Sequence, residues 1–394
     1  MMNQLLGITL AAIALSVSAS ILIVWSQRWH GKHTLDHDLA GVQKFHTTAV
    51  PRIGGLAIVF AITAVLLARR GDWLAGAAAT EHGNTALRLL IAGLPAFAAG
   101  IVEDLTKKVS VRARLFASIA SALAASWLLG AIVREVDIWG VDRLLQWGPP
   151  ALVVTAIVVA GGINAINIID GFNGLAASIV TVMLAALGAV AWSVGDQLVA
   201  ELAAIGAGAA IGFVFVNYPM GRIFLGDGGA YFLGFWVAEV GVLLLVRDPD
   251  VSAWQVLSIC AYPVIEVLFS IYRRKIVRQA SPGAPDALHL HTLVYRRVVT
   301  RFVRIDPQRP WKRNAAVVCV TLPWVAIAAT LSVLVGDSLP GAVLLTLAQV
   351  VVYVAVYARL VRGHWLRRQP LEGAVKPAAQ AESLDEVPAR TAVR

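Results

Sequence analysis

"ALVVTAIVVAGGINAINIIDGFNG", residues 151–174, is the stretch on which the fold turns. From Ala151 to Ile163 it is apolar enough to sit in lipid. It then meets Asn164, Asn167, Asp170 and Asn173, one polar side chain at every third position. Each step of three residues moves about 60° around a helix, so Asn164 and Asn173 would fall on opposite sides and cannot share one face. The helix is therefore expected to break. Asp170-Gly171 is a turn signal, and Asn173 stands where a cap for the following "GLAASIV" helix is wanted. A helix end, a turn and a helix start explain Asn173 but account less well for Asn167 and Asp170. An ionised Asp at membrane depth costs roughly 2.5 to 3.5 kcal/mol unless it meets a cation or a water-filled cavity. Asp170 near a span end thus points to function.

The same logic extends to the whole chain. Of 394 residues, 58% are hydrophobic and 14% charged, against about 45–50% and about 25% in soluble domains. About eleven apolar stretches are long enough to cross a ~30 Å hydrocarbon core. They lie near 5–25, 53–68, 87–102, 114–133, 150–166, 175–194, 198–216, 229–246, 253–272, 314–335 and 340–360. The expected fold is an all-α polytopic membrane bundle over residues 1–362, followed by a polar, Pro- and Ala-containing segment, 363–394, that reads as a disordered cytoplasmic tail. Arg28 and Lys32 follow the first stretch and no basic residue precedes it, the reverse of a signal peptide, so it is expected to remain as an anchor. Positive charge then places the N-terminus outside, with about 27 of the 33 Lys and Arg on the inner side. The net charge of +9 thereby reflects topology and anionic headgroups, and no nucleic-acid-binding pattern is present. Cys260 and Cys319 lie inside apolar runs and read as buried free thiols.

The outer connections are short turns such as "SVGDQ". Carboxylates, amides and imidazoles gather in the inner ones. "FLGDGGAYFLGF" sets Asp227 between glycines at the mouth of a span, where a plain helix cap would not need Gly226, Gly228 and Gly229. "IVEDL" adds Glu103 and Asp104, followed by Lys107, Lys108, Arg112 and Arg114. Each alone could be an ordinary solvated helix end. Together, acidic points interleaved with basic residues on one face suit a magnesium ion and a bound diphosphate. His289 and His291 in "DALHLHT" are two apart and lack the further ligands a zinc site needs, which favours phosphate or sugar hydrogen bonding. No P-loop, GxSxG or GxGxxG motif is present.

In this order the loops resemble the polyprenyl-phosphate N-acetylhexosamine-1-phosphate transferases, the membrane family that includes WecA and MraY, and are closer to its WecA-like branch. The resemblance runs from about residue 40 to 300. It rests on Lys44, His46, Pro51, Gly54 and Gly55; on Glu103, Asp104 and Arg114; on Asn164, Asn167, Asp170, Gly171, Gly174 and Leu175; on Asn217, Pro219, Phe224, Gly226, Asp227 and Gly229; and on His289 and His291. Three positions depart from the pattern: Glu103 replaces an Asp, Asn173 an Asp, and Thr292 a His. The resemblance implies transfer of a sugar-1-phosphate from a UDP-sugar to undecaprenyl phosphate at the bacterial inner membrane, with release of UMP. It further implies Mg2+ (or Mn2+) at Asp227, catalytic positions at Glu103, Asp104, Asp170 and Asp227, and substrate contacts at Lys44, His46, Arg114, Asn167, Asn173, Asn217, His289 and His291. Asp104 would act more through orientation than as a base, because a phosphate monoester is already largely dianionic near neutral pH. N-acetylglucosamine is the default sugar, and a homodimer remains open. The rival reading is a transporter or flippase of lipid-linked sugars, against which stand the absence of internal repeats and the clustering of polar residues at span ends.

Overall fold

The computed structural model describes residues 2–36, 49–73, 77–277, 279 and 288–362. Lys44, His46 and the 363–394 segment lie outside them. Helix α1 (Met2–Thr34) leads into strand β1 (Leu35–Asp36), which pairs antiparallel with β2 (Val50–Pro51). Then come α2 (Gly54–Trp73), α3 (Ala77–Thr106), α4 (Val111–Leu129), the short α5 (Val141–Leu145), α6 (Gly148–Ile169), α7 (Leu175–Val194), α8 (Gln197–Asn217) and α9 (Gly226–Arg247). The chain continues through α10 (Ala253–Ile259), α11 (Ala261–Tyr272), α12 (Leu290–Val294), α13 (Thr300–Phe302), α14 (Lys312–Leu334) and α15 (Leu339–Arg362).

All the apolar stretches expected from the sequence are helical. Among the described residues, eight helices are long and apolar enough to cross a membrane, nine if the bent α10–α11 pair counts as one span. The others fall short for visible reasons. Helix α2 is apolar only over Gly54–Arg69, and α4 begins with Arg112 and Arg114 and carries Ser118, Ser121 and Ser126, all three buried. One of these serines has a task. Pro95 interrupts α3, and the amide of Ala96 donates to Ser121 Oγ at 2.9 Å, the kind of neighbouring-helix partner that makes proline tolerable in a span.

Helix α9 is the centre of the bundle. It packs against α2, α3, α6, α7 and α8, with Tyr231, Phe232, Phe235 and Trp236 almost fully buried. Helices approach it closely because glycine removes side chains where backbones meet. A Cβ on Gly55 would collide with the backbone of Gly229, and one on Gly100 with that of Gly228. The ends of α2 and α3 are thereby pinned to the first turn of α9, the packing mode expected where helices associate through small residues.

The break in the opening stretch falls at Asp170, where the Asp170-Gly171 turn is expected, and Asn164 and Asn167 remain helical on α6. Three local expectations are corrected. Cys319 is not buried but exposed, because its helix face is turned away from the bundle. Asn173 does not cap α7: that place is taken by Gly174 at φ 75°, with no side-chain cap bond, because this turn needs a left-handed residue. The 253–272 span is not one rod but bends by 83° between α10 and α11.

Candidate active site

At one end of the bundle, the starts or ends of α3, α4, α6, α8, α9, α11, α12 and α14 surround a cavity of about 1190 Å3. Asp227, in the first turn of α9, is its most connected carboxylate. Its Oδ2 accepts from Arg114 of α4 at 2.8 Å, its Oδ1 accepts from Asn167 of α6 at 3.2 Å, and Arg52 lies 3.5 Å away. Asp104, at the end of α3, is buried. Its two oxygens accept the backbone N–H groups of Asp227 and Gly228, each at 2.9 Å, with Arg52 at 3.4 Å. A carboxylate from one helix thus caps the positive end of another and fixes where Asp227 stands. Gly226, at φ 74°, is required there, because a Cβ would strike the Arg52 carbonyl and the Asp104 carboxylate.

Asp170, just beyond α6, lines the same cavity. Burial, reinforced by the Asp227 charge and partly offset by Arg52, pushes its carboxyl up to about 7. Glu103 also lines the cavity and accepts the Val109 N–H at 2.8 Å. The β1–β2 pairing brings Asp36 beside Arg52 at 3.7 Å, where Asp36 also pairs with Lys107 at 2.8 Å. Among the described residues at this end of the cavity, five carboxyl groups, Asp36, Glu103, Asp104, Asp170 and Asp227, stand with three cations, Arg52, Lys107 and Arg114. Among the described residues no group of three or more His, Cys, Asp or Glu is gathered tightly enough to cage a metal. That donor set fits magnesium, which binds through one or two carboxylates and keeps water and substrate phosphates as its remaining ligands.

The amides divide differently from the carboxylates. Asn217 is buried; its Oδ1 accepts the Gly174 N–H and its Nδ2 donates to the Ile223 carbonyl. Asn173 donates to the Pro219 carbonyl at 2.9 Å, and its own N–H goes to Asn314 Oδ1 at 2.7 Å. Both stitch the turns together at the cavity wall, while Asn167 reaches Asp227 itself. His289 and His291 form a stacked pair, centroids 5.4 Å apart and planes 7° apart, with His291 against the Gly171–Phe172 turn.

From this charged end an apolar arm runs between α4 and α6. Leu115, Ile119 and Leu123 line one wall at helical spacing, and Val153, Ala156, Ile157 and Ala160 the other. Leu115, Leu123, Val153 and Ile157 are exposed, so the arm opens sideways from the bundle.

Arg52, Asp36, Glu266, Arg274 and Asn314 were not singled out from the sequence, although each has a place here. Arg52 lies within the "PRIGG" that was matched, and Glu266 interrupts the apolar "YPVIEVLF" run, itself a signal at membrane depth.

These features define a polytopic α-helical membrane protein with a charged cavity and an apolar arm at one end. The profile of glycosyl transferase family 4 matches residues 86–245, and the relatives the chain is similar to are polyprenyl-phosphate N-acetylglucosaminyl 1-phosphate transferases. It is 28% identical over 253 residues to the probable undecaprenyl-phosphate N-acetylglucosaminyl 1-phosphate transferase of Bacillus subtilis, covering 63% of this chain and 66% of that one, just under two thirds. A Thermotoga maritima undecaprenyl-phosphate alpha-N-acetylglucosaminyl 1-phosphate transferase is 26% identical over 65% of this chain and 72% of its own. The decaprenyl-phosphate N-acetylglucosaminephosphotransferase of Mycobacterium tuberculosis (strain ATCC 25618 / H37Rv) is 26% identical over 73% of this chain and 74% of its own.

Proposed function

We propose that this protein transfers N-acetylglucosamine-1-phosphate, or that of a close N-acetylhexosamine, from a UDP-sugar to undecaprenyl phosphate and releases UMP. The observation that carries this reading is the meeting, in one cavity, of the Asp227 cluster with an apolar arm open to the side. A charged, water-soluble donor and a lipid acceptor need such a junction. The named relatives support the polyprenyl phosphate and the sugar.

In this reading the acceptor's isoprenoid chain lies along α4 and α6, leaving its phosphate at the Asp227 end. Arg114 and Arg52 hold phosphate oxygens, the task suited to guanidinium. Asp104 keeps the α9 terminus and Asp227 in place, and Asn167 orients the Asp227 carboxylate. A magnesium ion, when bound, would supply charge neutralisation on the diphosphate, with Asp227 and Asp170 as its protein ligands. Catalysis is then largely positioning and electrostatic stabilisation, as phosphoryl transfer demands.

The same reading sets eleven spans with the N-terminus outside and the cavity on the cytoplasmic side of a bacterial inner membrane. Purified protein supplied with undecaprenyl phosphate and a panel of UDP-sugars is expected to release UMP in a magnesium-dependent manner. No UMP from any sugar would overturn the assignment and return the transporter reading.

A further inference from the structure

We propose that Glu266, a carboxylate buried within the α11 span, is the positioning residue of the His289–His291 pair and sets the tautomer in which His289 meets the substrate. This rests on the reading of the cavity as the UDP-sugar site. Glu266 has no solvent exposure. Its Oε1 lies 3.0 Å from His289 Nδ1, and both its oxygens accept the Leu290 N–H, at 3.1 and 3.2 Å. Its Oε2 is 4.0 Å from His291 Nδ1. An ionised carboxylate only accepts hydrogen bonds, so the proton between it and His289 belongs on Nδ1. The nitrogen that remains to titrate is Nε2, on the opposite edge of a ring that lines the cavity.

The fold explains how an acid comes to stand there. The bend between α10 and α11 swings α11 against α6, with Pro263 in its first turn, where a missing N–H costs nothing. Glu266 then sits one turn before Ser270, which lines the cavity together with Arg274. The start of α12 is tied to α11 through the Leu290 N–H, so the same carboxylate anchors the backbone and holds the His289 ring, against which His291 stacks. With Nδ1–H held by the carboxylate, Nε2 is the nitrogen that would donate to a phosphate oxygen when protonated or accept from a sugar hydroxyl when not. Among the described residues, the other titratable groups facing Glu266 are Tyr262 on its own helix and Tyr353 on α15. Neither can supply a formal charge at neutral pH.

The test uses the full chain in detergent, labelled with 15N-histidine, with the His289 signals assigned through His289→Gln. Wild type is expected to carry its neutral-form proton on Nδ1. Glu266→Gln keeps the shape but loses the charge. It is expected to lower the proton affinity of His289 about tenfold, equivalent to one pKa unit, and to raise KM for the UDP-sugar about tenfold with a smaller change in kcat. Glu266→Asp restores part of both. An unchanged His289 titration in Glu266→Gln overturns the proposal, whatever happens to kinetics or melting temperature. A shifted titration with unchanged KM overturns its link to substrate. If wild-type protein releases no UMP, the functional reading fails while the NMR comparison still decides the role of Glu266.

Discussion

Asp104 illustrates how a single side chain changes meaning once its partners are known. In sequence it is the second acid of "ED" and a candidate base. In the fold both its oxygens are engaged by the N–H groups of Asp227 and Gly228, an arrangement that an amide cannot reproduce, because its NH2 would oppose one of those donors. Asp104→Asn is therefore expected to lower kcat/KM by about 10- to 100-fold, the scale of one or two charge-assisted hydrogen bonds. Its activity should not recover as the pH is raised. Full recovery in alkali would mean that Asp104 is a base after all. Arg52 calls for a different measurement. Its guanidinium stands 3.5 Å from Asp227 and opposes any cation bound there. Arg52→Ala is expected to lower kcat while reducing the magnesium concentration needed for half-maximal activity. An increased magnesium requirement would exclude such competition.

Among the elements, α9 and its neighbours set the precision of the site. The first turn of α9 touches α2 at Gly55 and α3 at Gly100 with no room for a methyl group. Gly100→Ala is expected to cost about 1 to 3 kcal/mol, the range for overpacking, seen as a lower melting temperature in detergent, and to reduce activity by moving Asp227. The α4–α6 arm belongs to a different part of the reaction. Ala160 lies on its α6 wall near the charged end, and Ala160→Phe is expected to raise KM for undecaprenyl phosphate about tenfold or more while leaving KM for the UDP-sugar nearly unchanged. An equal rise in both would show that the arm does not hold the lipid.

For the whole molecule, the question is which end faces the cytoplasm. Charged clusters mark both ends of the bundle. The cavity end carries the Asp36, Asp104, Asp170 and Asp227 network. The far end is held by Asp196 with Arg247 and by Asp137, which accepts from Ser252 Oγ at 2.8 Å. Lys108 near the cavity and Arg134 at the far end are both exposed. In a chain with Cys260 and Cys319 replaced, a cysteine at 108 is expected to react only with a permeant reagent in intact cells. A cysteine at 134 should react with an impermeant one. The opposite pattern would place the cavity outside, where a cytoplasmic UDP-sugar could not reach it.

The apolar runs, the charge asymmetry and the acidic points at span ends were legible in the sequence, because each depends on local composition and on the cost of polar groups in lipid. They determined the all-α membrane class, the helical stretches and the identity of Asp104, Asp170 and Asp227 as candidate site residues. What the sequence left undecided was partnership. Asn164, Asn167, Asn173 and Asn217 look alike as letters, yet Asn167 reaches Asp227 while Asn173 and Asn217 are consumed in bracing turns. Arg52 and Glu266 acquire their roles only when β1–β2 pairing and the α10–α11 bend carry them to residues far away in the chain. Tertiary structure decided these roles for a physical reason: a buried polar group needs a partner, and packing alone determines which partner is within reach.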